Sequence, residues 1–550
     1  MSESGSALWI LGSQFALLNK RLECPRTSSG STTLLRTWVV FPMPDQDNLD
    51  SALETKEARV GVYGDRWVVD LASRTVSPRY WKMASSEVVR ALWHVDGKPL
   101  PEEDSVAIEK WIEEREAGDA SGERSPDYLA LPDGKNFVEY QESGDSYVVY
   151  GSGIGVYLGP RSPLTRGWPD VPAEFGDSAV PASDLIFCIH GMGEHFWSQP
   201  SQQNAGSPGA FVDSVREFRE LININHSDGE GRTECIPIVW ANIIHEDDTD
   251  LVGRVRDITL RSVPLLRSLA NDVAADVMFY QSPIYETKIR KGVISSINNA
   301  VNEYMAAVDH CGRTKPRVSI LGHSLGSVIA YDIVRIQDSD DLPPEFRLTS
   351  NMDVHVLFLC GSPLPLFLTC RGVGRSDIVP LANCGRVYNV FNPTDPVAYR
   401  IEPLIDPDCK AVNAHHVPFY SGGGGVQKHV QVKSAVQSFA ESAYESGVAN
   451  ALIKPVKNLL GFDAEEKKKY SEVVAKIKKL NRSERIDWVL QDSFIESAGE
   501  YVAAVASHCK YFGNADFAAF VREKISSDAH SSADESDSIE PAESAESITG

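Results

Sequence analysis

The sequence has no excess of basic residues: 53 Lys and Arg stand against 77 Asp and Glu, a formal net charge of −24. A phosphate backbone repels such a surface, which argues against a general nucleic-acid binder. Paired cysteines are missing too. The nine cysteines are scattered, with no CxxC pair. Neither a disulfide framework nor a structural zinc site is expected, and reduced thiols fit a cytoplasmic protein. There is no run of the roughly 18 apolar residues that a spanning helix needs. Residues 7–18 are apolar but broken by Gly12, Ser13 and Gln14, with no basic segment before them, a poor match to a secretory signal. If such a protein works on membranes, it works from the surface.

What is present is a globular composition, 42% hydrophobic and 24% charged, over 550 residues, enough for two or three domains. Residues 1–30 read as poorly structured. Residues 31–160 carry short β-rich runs (TWVVF, RVGVYG, RWVVDL, FVEYQ, SYVVYG) separated by turn residues and interrupted by one charged, helix-like stretch at 101–118. No internal repeat is apparent. Residues 161–182 are rich in Pro, Gly and Asp and read as a linker. Over 183–525 apolar strands alternate with helical stretches, the pattern of a parallel sheet covered by helices. LIFCI and VHVLFL are continuous apolar runs, as strands buried on both faces are. Residues 526–550 are Ser, Ala, Asp and Glu with almost no large apolar side chains, the composition of a disordered acidic tail.

The chemistry centres on Gly322-His323-Ser324-Leu325-Gly326. A bare GxSxG arises by chance in roughly one chain of this length in five. Here it follows an apolar strand and opens a helical run, the strand–turn–helix setting of a nucleophile elbow in an α/β-hydrolase-like fold. Upstream, a strand ends in His190-Gly191-Met192-Gly193. The amides of Gly191 or Met192 and of Leu325 are the candidates for an oxyanion hole. In this fold an acid and then a histidine follow the serine. Asp395, in the turn after a strand at 387–391, is the leading acid; the bland reading is a turn-capping aspartate before Pro396. Five histidines follow: His415, His416, His429, His508 and His530. His530 drops out as part of the tail, and spacing does not separate the others.

These residues resemble the DDHD-domain family, the phosphatidic-acid-preferring phospholipases A1. The likeness runs through ADVMFYQSP, GHSLGSVIAYDI, GSPLPLFL, DPVAYRIEP and RIDWVLQ in the family's order, over about residues 180–525, with the DDHD region at about 350–525. The four naming residues fall on Asp395, Asp487, His508 and Asp516. The resemblance therefore implies His508 as base and a Ser324–His508–Asp395 triad. It implies no cofactor, with a metal site of Asp395, Asp487, His508 and Asp516 as a lesser reading. The stretch from Gly64 to Trp81 is similar to the β-rich, WWE-like region before the lipase domain. Asn392 stands where the family often has histidine, so that position cannot be a base. One subgroup's intervening helical domain has no counterpart here.

The implied function is serine-dependent hydrolysis of a membrane glycerophospholipid at its sn-1 ester, with phosphatidic acid favoured. The competing expectations are a neutral-lipid lipase of the same mechanism and a catalytically silent lipid-binding or membrane-tethering protein. The implied partner is a phospholipid membrane surface, met peripherally on intracellular membranes, and an oligomer is open. Basic residues beside apolar ones at 254–269 and 454–482 are candidate membrane contacts, with a solvated helix face as the plainer reading.

Overall fold

The computed structural model describes residues 8–13, 37–81, 85–95, 98–121, 127–132, 134–141, 146–151, 161–168, 182–191, 210–224, 231–240, 258, 277–309, 315–349, 352–381, 383–420, 464–491 and 507–527. The chain divides into two compact units at Ala179/Val180.

The amino-terminal unit makes one plan twice. Strands β1 (Leu8–Ser13) and β2 (Thr37–Val40) lead to helix α1 (Met43–Thr55), then to β3 (Arg59–Val62), β4 (Trp67–Asp70), β5 (Thr75–Pro78) and β6 (Ser86–Ala91). The plan restarts with β7 (Trp93–Val95), β8 (Lys98–Pro99), α2 (Glu102–Ser121), β9 (Tyr128–Ala130), β10 (Asn136–Gln141), β11 (Ser146–Gly151) and β12 (Ser162–Arg166). The antiparallel sheets have orders β2-β1-β6-β5-β4-β3 and β8-β7-β12-β11-β10-β9, the same permutation. The helices agree in register. Asp45 and Asp104 are third in each, Leu49 and Ile108 seventh, Ala52 and Trp111 tenth, and all six are buried. The eighth residues make matching clamps. Asp50 accepts from the Trp9 indole at 2.8 Å and from Arg90 Nε at 3.2 Å; Glu109 accepts from the Trp93 indole at 2.7 Å and from Arg166 Nε at 3.0 Å. The sequence shows no repeat because the two copies share burial and pairing but not residue types.

Two expectations need correction here. Leu8–Ser13, inside the stretch read as unstructured, is β1, with Trp9 and Ile10 fully buried. Its pairing partners, Thr37–Val40 and Ser86–Ala91, are distant in sequence, so local composition could not reveal it. Ser162–Arg166, inside the expected linker, is β12, because Leu164 packs into the second copy's core.

The carboxy-terminal unit is built on a seven-stranded parallel sheet: β13 (Ala182–Ile189), β14 (Arg232–Ile238), β15 (Arg317–His323), β16 (Val354–Cys360), β17 (Cys384–Phe391), β18 (His415–His416) and β19 (Asp487–Val489), in the order β14-β13-β15-β16-β17-β19-β18. Helices α3 (Ala210–Asn223), α4 (Pro283–Asp309), α5 (Leu325–Ile336), α6 (Leu364–Cys370), α7 (Glu402–Ile405), α8 (Ala464–Leu480) and α9 (Ala515–Ser526) complete it. α3 and α9 cover one face through Phe211, Phe218, Phe517 and Phe520, which pack with Cys188, Phe358 and Tyr388. α5 packs on β13, β15 and β16. β13, β15 and β16 are therefore buried along almost their whole length, which is why they read as unbroken apolar runs. The chain steps from β13 outward to β14 and returns to the other side as β15. Such a reversal opens a crevice at the carboxyl ends of β13 and β15. No helix among the described residues is long and apolar enough to cross a membrane.

Candidate functional site

β15 ends in this crevice, and its next residue is Ser324. The serine has φ 53° and ψ −126° and is followed directly by α5. A non-glycine residue at positive φ is strained and persists only where surrounding structure over-determines it. Gly326 shows how tightly the turn is packed. A Cβ there would lie 2.3 Å from the carbonyl oxygens of both Ile189 and His190, so only glycine lets α5 start against the end of β13. Ser327 Oγ donates to the Ser324 carbonyl and meets Ser362 Oγ at 2.6 Å, bracing the turn from below. Ser324 is 1% exposed, and its hydroxyl makes no hydrogen bond among the described residues.

The loop after β13 comes next to it. A Cβ on Gly191 would sit 2.6 Å from Ser324 Cβ. His190 holds this loop. Its Nε2 accepts the Trp240 backbone N–H at 3.0 Å, so the proton is on Nδ1, which donates to the Gly191 carbonyl at 2.8 Å. Its ring stacks on the Trp240 indole at 4.8 Å. Leu325 is the first residue of α5, where amides lack intrahelical partners and the helix dipole favours negative charge. Met192 lies outside the described residues.

Asp395 and His508, 113 positions apart, meet. Nδ1 of His508 lies 3.0 and 2.9 Å from the two carboxylate oxygens. Asp395 also accepts the Val397 amide at 2.8 Å and the Tyr511 hydroxyl at 2.7 Å. Burial pushes its pKa up, but the hydrogen bonds from His508, Tyr511 and Val397 outweigh that and hold it below the usual carboxylate range. The pair is joined to the serine turn by two links. Ser324 N–H donates to the Cys360 carbonyl at 3.0 Å, and a Cβ on the next residue, Gly361 (φ +57°), would lie 2.9 Å from Asp395 Oδ2 and 3.2 Å from His508 Nδ1. The other link is the His323 ring, 2.8 Å from the His508 carbonyl.

The other candidates lie elsewhere. Asp487, fully buried on β19, accepts from Asn389 Nδ2, the Ile401 and Glu402 amides and Arg400 Nε. Beside it Glu402 binds Arg485 through both oxygens. Burial and the Glu402 carboxylate raise the Asp487 pKa to about 6. This network ties β17, α7 and β19 together. Asp516 sits in the first turn of α9, which Asn514 caps. The four family-signature residues thus do not gather, and among the described residues no group of three or more His, Cys, Asp or Glu could hold a metal ion. His415 packs edge-on against Trp488 on the sheet's edge strand beside His416. His429 and His530, residues 254–269 apart from Ile258, and residues 454–463 lie outside the described set.

Sequence reasoning missed Tyr511 and His323. Tyr511, three positions after the histidine, accepts the Asn392 amide at 2.9 Å while donating to Asp395. Only its spacing from His508 could have drawn notice.

Comparison with known proteins assigns a domain to the carboxy-terminal unit. The DDHD domain model matches residues 351–459 and 461–526, a span that contains Asp395, Asp487, His508 and Asp516. An intracellular phospholipase A1 of Caenorhabditis elegans is 29% identical over 67% of this chain and 50% of its own length. Phospholipase DDHD1 of Bos taurus is 28% identical over 63% of this chain and 48% of its own. The chain thus spans about half the length of these two relatives. Triacylglycerol hydrolase DDHD2 of Mus musculus is 23% identical over 89% of this chain and 90% of its own. No solved structure matches. The buried Asp487 network and the Asp395–His508 pair both fall within the matched span, and this chain contains a DDHD domain.

Proposed function

We propose that this chain is a serine-dependent acyl hydrolase that cleaves the sn-1 ester of a membrane glycerophospholipid, phosphatidic acid being the favoured substrate, with Ser324 as nucleophile, His508 as base and Asp395 as the orienting acid. The observation that carries the reading is the Asp395 carboxylate on His508 Nδ1 at 2.9 Å, beside a serine held at φ 53° on a strand–helix turn. With Nδ1 engaged by the acid, Nε2 is the ring atom left to take the serine proton. Ser324 Oγ attacks the ester carbonyl, and the oxyanion is held by the Leu325 amide and by Gly191 or Met192 of the β13 loop. Each such donor contributes about 3 kcal/mol of transition-state stabilisation. His508 passes the proton to the departing glycerol oxygen, and water then releases the acyl group by the reverse sequence. The reaction needs no metal or cofactor. In this reading the parallel sheet is an α/β-hydrolase core, the β-rich amino-terminal region at 31–160 is WWE-like, and the enzyme meets its lipid peripherally on intracellular membranes.

A neutral-lipid substrate is the second reading. It is favoured by the match to a triacylglycerol hydrolase along nine-tenths of both chains. One experiment tests both: purified protein and Ser324→Ala are given vesicles of phosphatidic acid or phosphatidylcholine and emulsified triacylglycerol, and fatty acid and lysolipid are measured. Ser324-dependent 2-acyl lysophosphatidic acid supports the first reading, and fatty acid from triacylglycerol alone supports the second. Hydrolysis that survives Ser324→Ala sinks both, and a folded wild type inert to lipid and to a fluorophosphonate probe supports a silent lipid-binding role instead.

A further inference from the structure

GxSxG constrains its glycines and serine; the residue before the serine is free to be anything that fits. Here it is His323, and its side chain turns toward the base. Nε2 lies 2.8 Å from the main-chain carbonyl oxygen of His508, 185 positions later. A carbonyl only accepts, so the Nε2 proton belongs to His323. The ring also packs against that of His508 at 4.8 Å, and against Tyr511 at 5.6 Å and Phe512 at 5.9 Å. Burial first, and then the neighbouring His508, push the His323 pKa down to about 3, so at working pH it is a neutral donor and adds no charge beside Asp395.

His508 lies in helical residues 507–509, off the sheet, whereas Ser324 follows the sheet's third strand. Asp395 fixes the imidazole at Nδ1 but does not touch the serine turn. Among the described contacts, the His323 hydrogen bond is the one that joins the serine turn directly to the residue carrying the base. We propose that His323 is a positioning residue: its N–H tethers the main chain of His508 to the nucleophile turn and sets the distance at which the imidazole meets Ser324. The inference rests on the triad reading above. Misplacement of a reacting group by about 1 Å costs on the order of 100-fold in rate, so a single hydrogen bond at this point controls turnover far more than folding.

The test uses the full chain as wild type, His323→Gln, His323→Phe and Ser324→Ala. The readouts are 4-nitrophenyl butyrate hydrolysis, the rate of fluorophosphonate labelling and thermal unfolding. Glutamine places an amide N–H at about the reach of the ring Nε2, and phenylalanine keeps the ring without the donor. His323→Phe is expected to lower kcat and slow labelling about 100-fold with KM within about twofold of wild type, and His323→Gln to recover to within about tenfold of wild type. A folded His323→Phe with wild-type kcat overturns the tether, as does a folded His323→Gln slowed 100-fold. Should the phenylalanine variant not fold, the glutamine variant decides by the same limits. Activity that survives Ser324→Ala removes the triad reading itself, whereas a Ser324-dependent enzyme indifferent to His323 removes only the tether.

Discussion

The amino-terminal unit makes the same polar clamp in each of its two copies, and the carboxy-terminal unit makes its polar site once. Each clamp joins an indole on a copy's first strand, a carboxylate on the eighth helix residue and a guanidinium on the last strand. All three parts lie within one copy, so duplicating a segment duplicates the clamp. The carboxy-terminal site has no such economy. Its serine follows β15, its acid follows β17, and its histidine precedes α9, and none of the three can be copied without the sheet that aims them. In each clamp the carboxylate accepts from both the indole and the guanidinium. Ser324, by contrast, is a buried hydroxyl with no hydrogen bond among the described residues, the state expected of a group waiting for a substrate.

The largest test of this contrast is catalytic. Ser324→Ala is expected to lower ester hydrolysis by about 10⁴-fold or more, and His508→Ala and Asp395→Asn by about 10³-fold, with near-normal unfolding temperatures. Asp50→Ala and Glu109→Ala should leave kcat unchanged; a kcat loss there comparable to that of Asp395→Asn would break the division of labour. Next in size is Asp487→Asn, which removes one charge from a buried ion network and should cost about 3 kcal/mol of stability in chemical denaturation. If the variant that remains folded loses turnover as completely as Asp395→Asn, then Asp487 belongs to the chemistry after all.

A third test is pH. The folded pKa of His323, about 3, lies below its ordinary value of 6.5, so between these limits the unfolded chain binds a proton that the native protein does not. The associated stability is complete above about pH 6.5 and is lost as pH falls toward 3. Between pH 7.5 and 5 it amounts to about 2 kcal/mol. Denaturation curves for His323→Gln should show a shallower acid slope by that amount, and an unchanged slope would mean that His323 is charged or exposed in the native state. The smallest effect sharpens the comparison of the two copies. Asp50→Ala removes an indole and one guanidinium hydrogen bond, and Glu109→Ala an indole and two guanidinium hydrogen bonds; each should cost its copy about 1–2 kcal/mol, Glu109→Ala slightly more. A cost confined to one copy would show that the shared geometry no longer carries shared energy.

Much of the carboxy-terminal sheet was legible because β13, β15 and β16 are buried on both faces and appear as unbroken apolar runs. The serine turn was legible because strand, GxSxG and helix are contiguous. The histidine that meets Asp395 was not, because His508 is defined by what faces it across 113 positions rather than by its neighbours, and family likeness rather than spacing singled it out. Asp487 read as a candidate site residue, and only its four hydrogen-bond partners reveal a network that ties strands together. The amino-terminal duplication was invisible for a related reason: Leu49 and Ile108, or Ala52 and Trp111, share a place in the core but not a side chain.

The sequence by itself determined the local matters: the alternation of strand and helix, the cramped turn that lifts Ser324, and the acidic charge balance. These follow from periodicity, glycine sterics and charge, which act between near neighbours. Only the tertiary structure decided which imidazole meets Asp395, that Tyr511 and His323 brace that meeting, and that one fold is used twice at the amino terminus. Those outcomes depend on contacts that exist only once distant strands have been laid side by side.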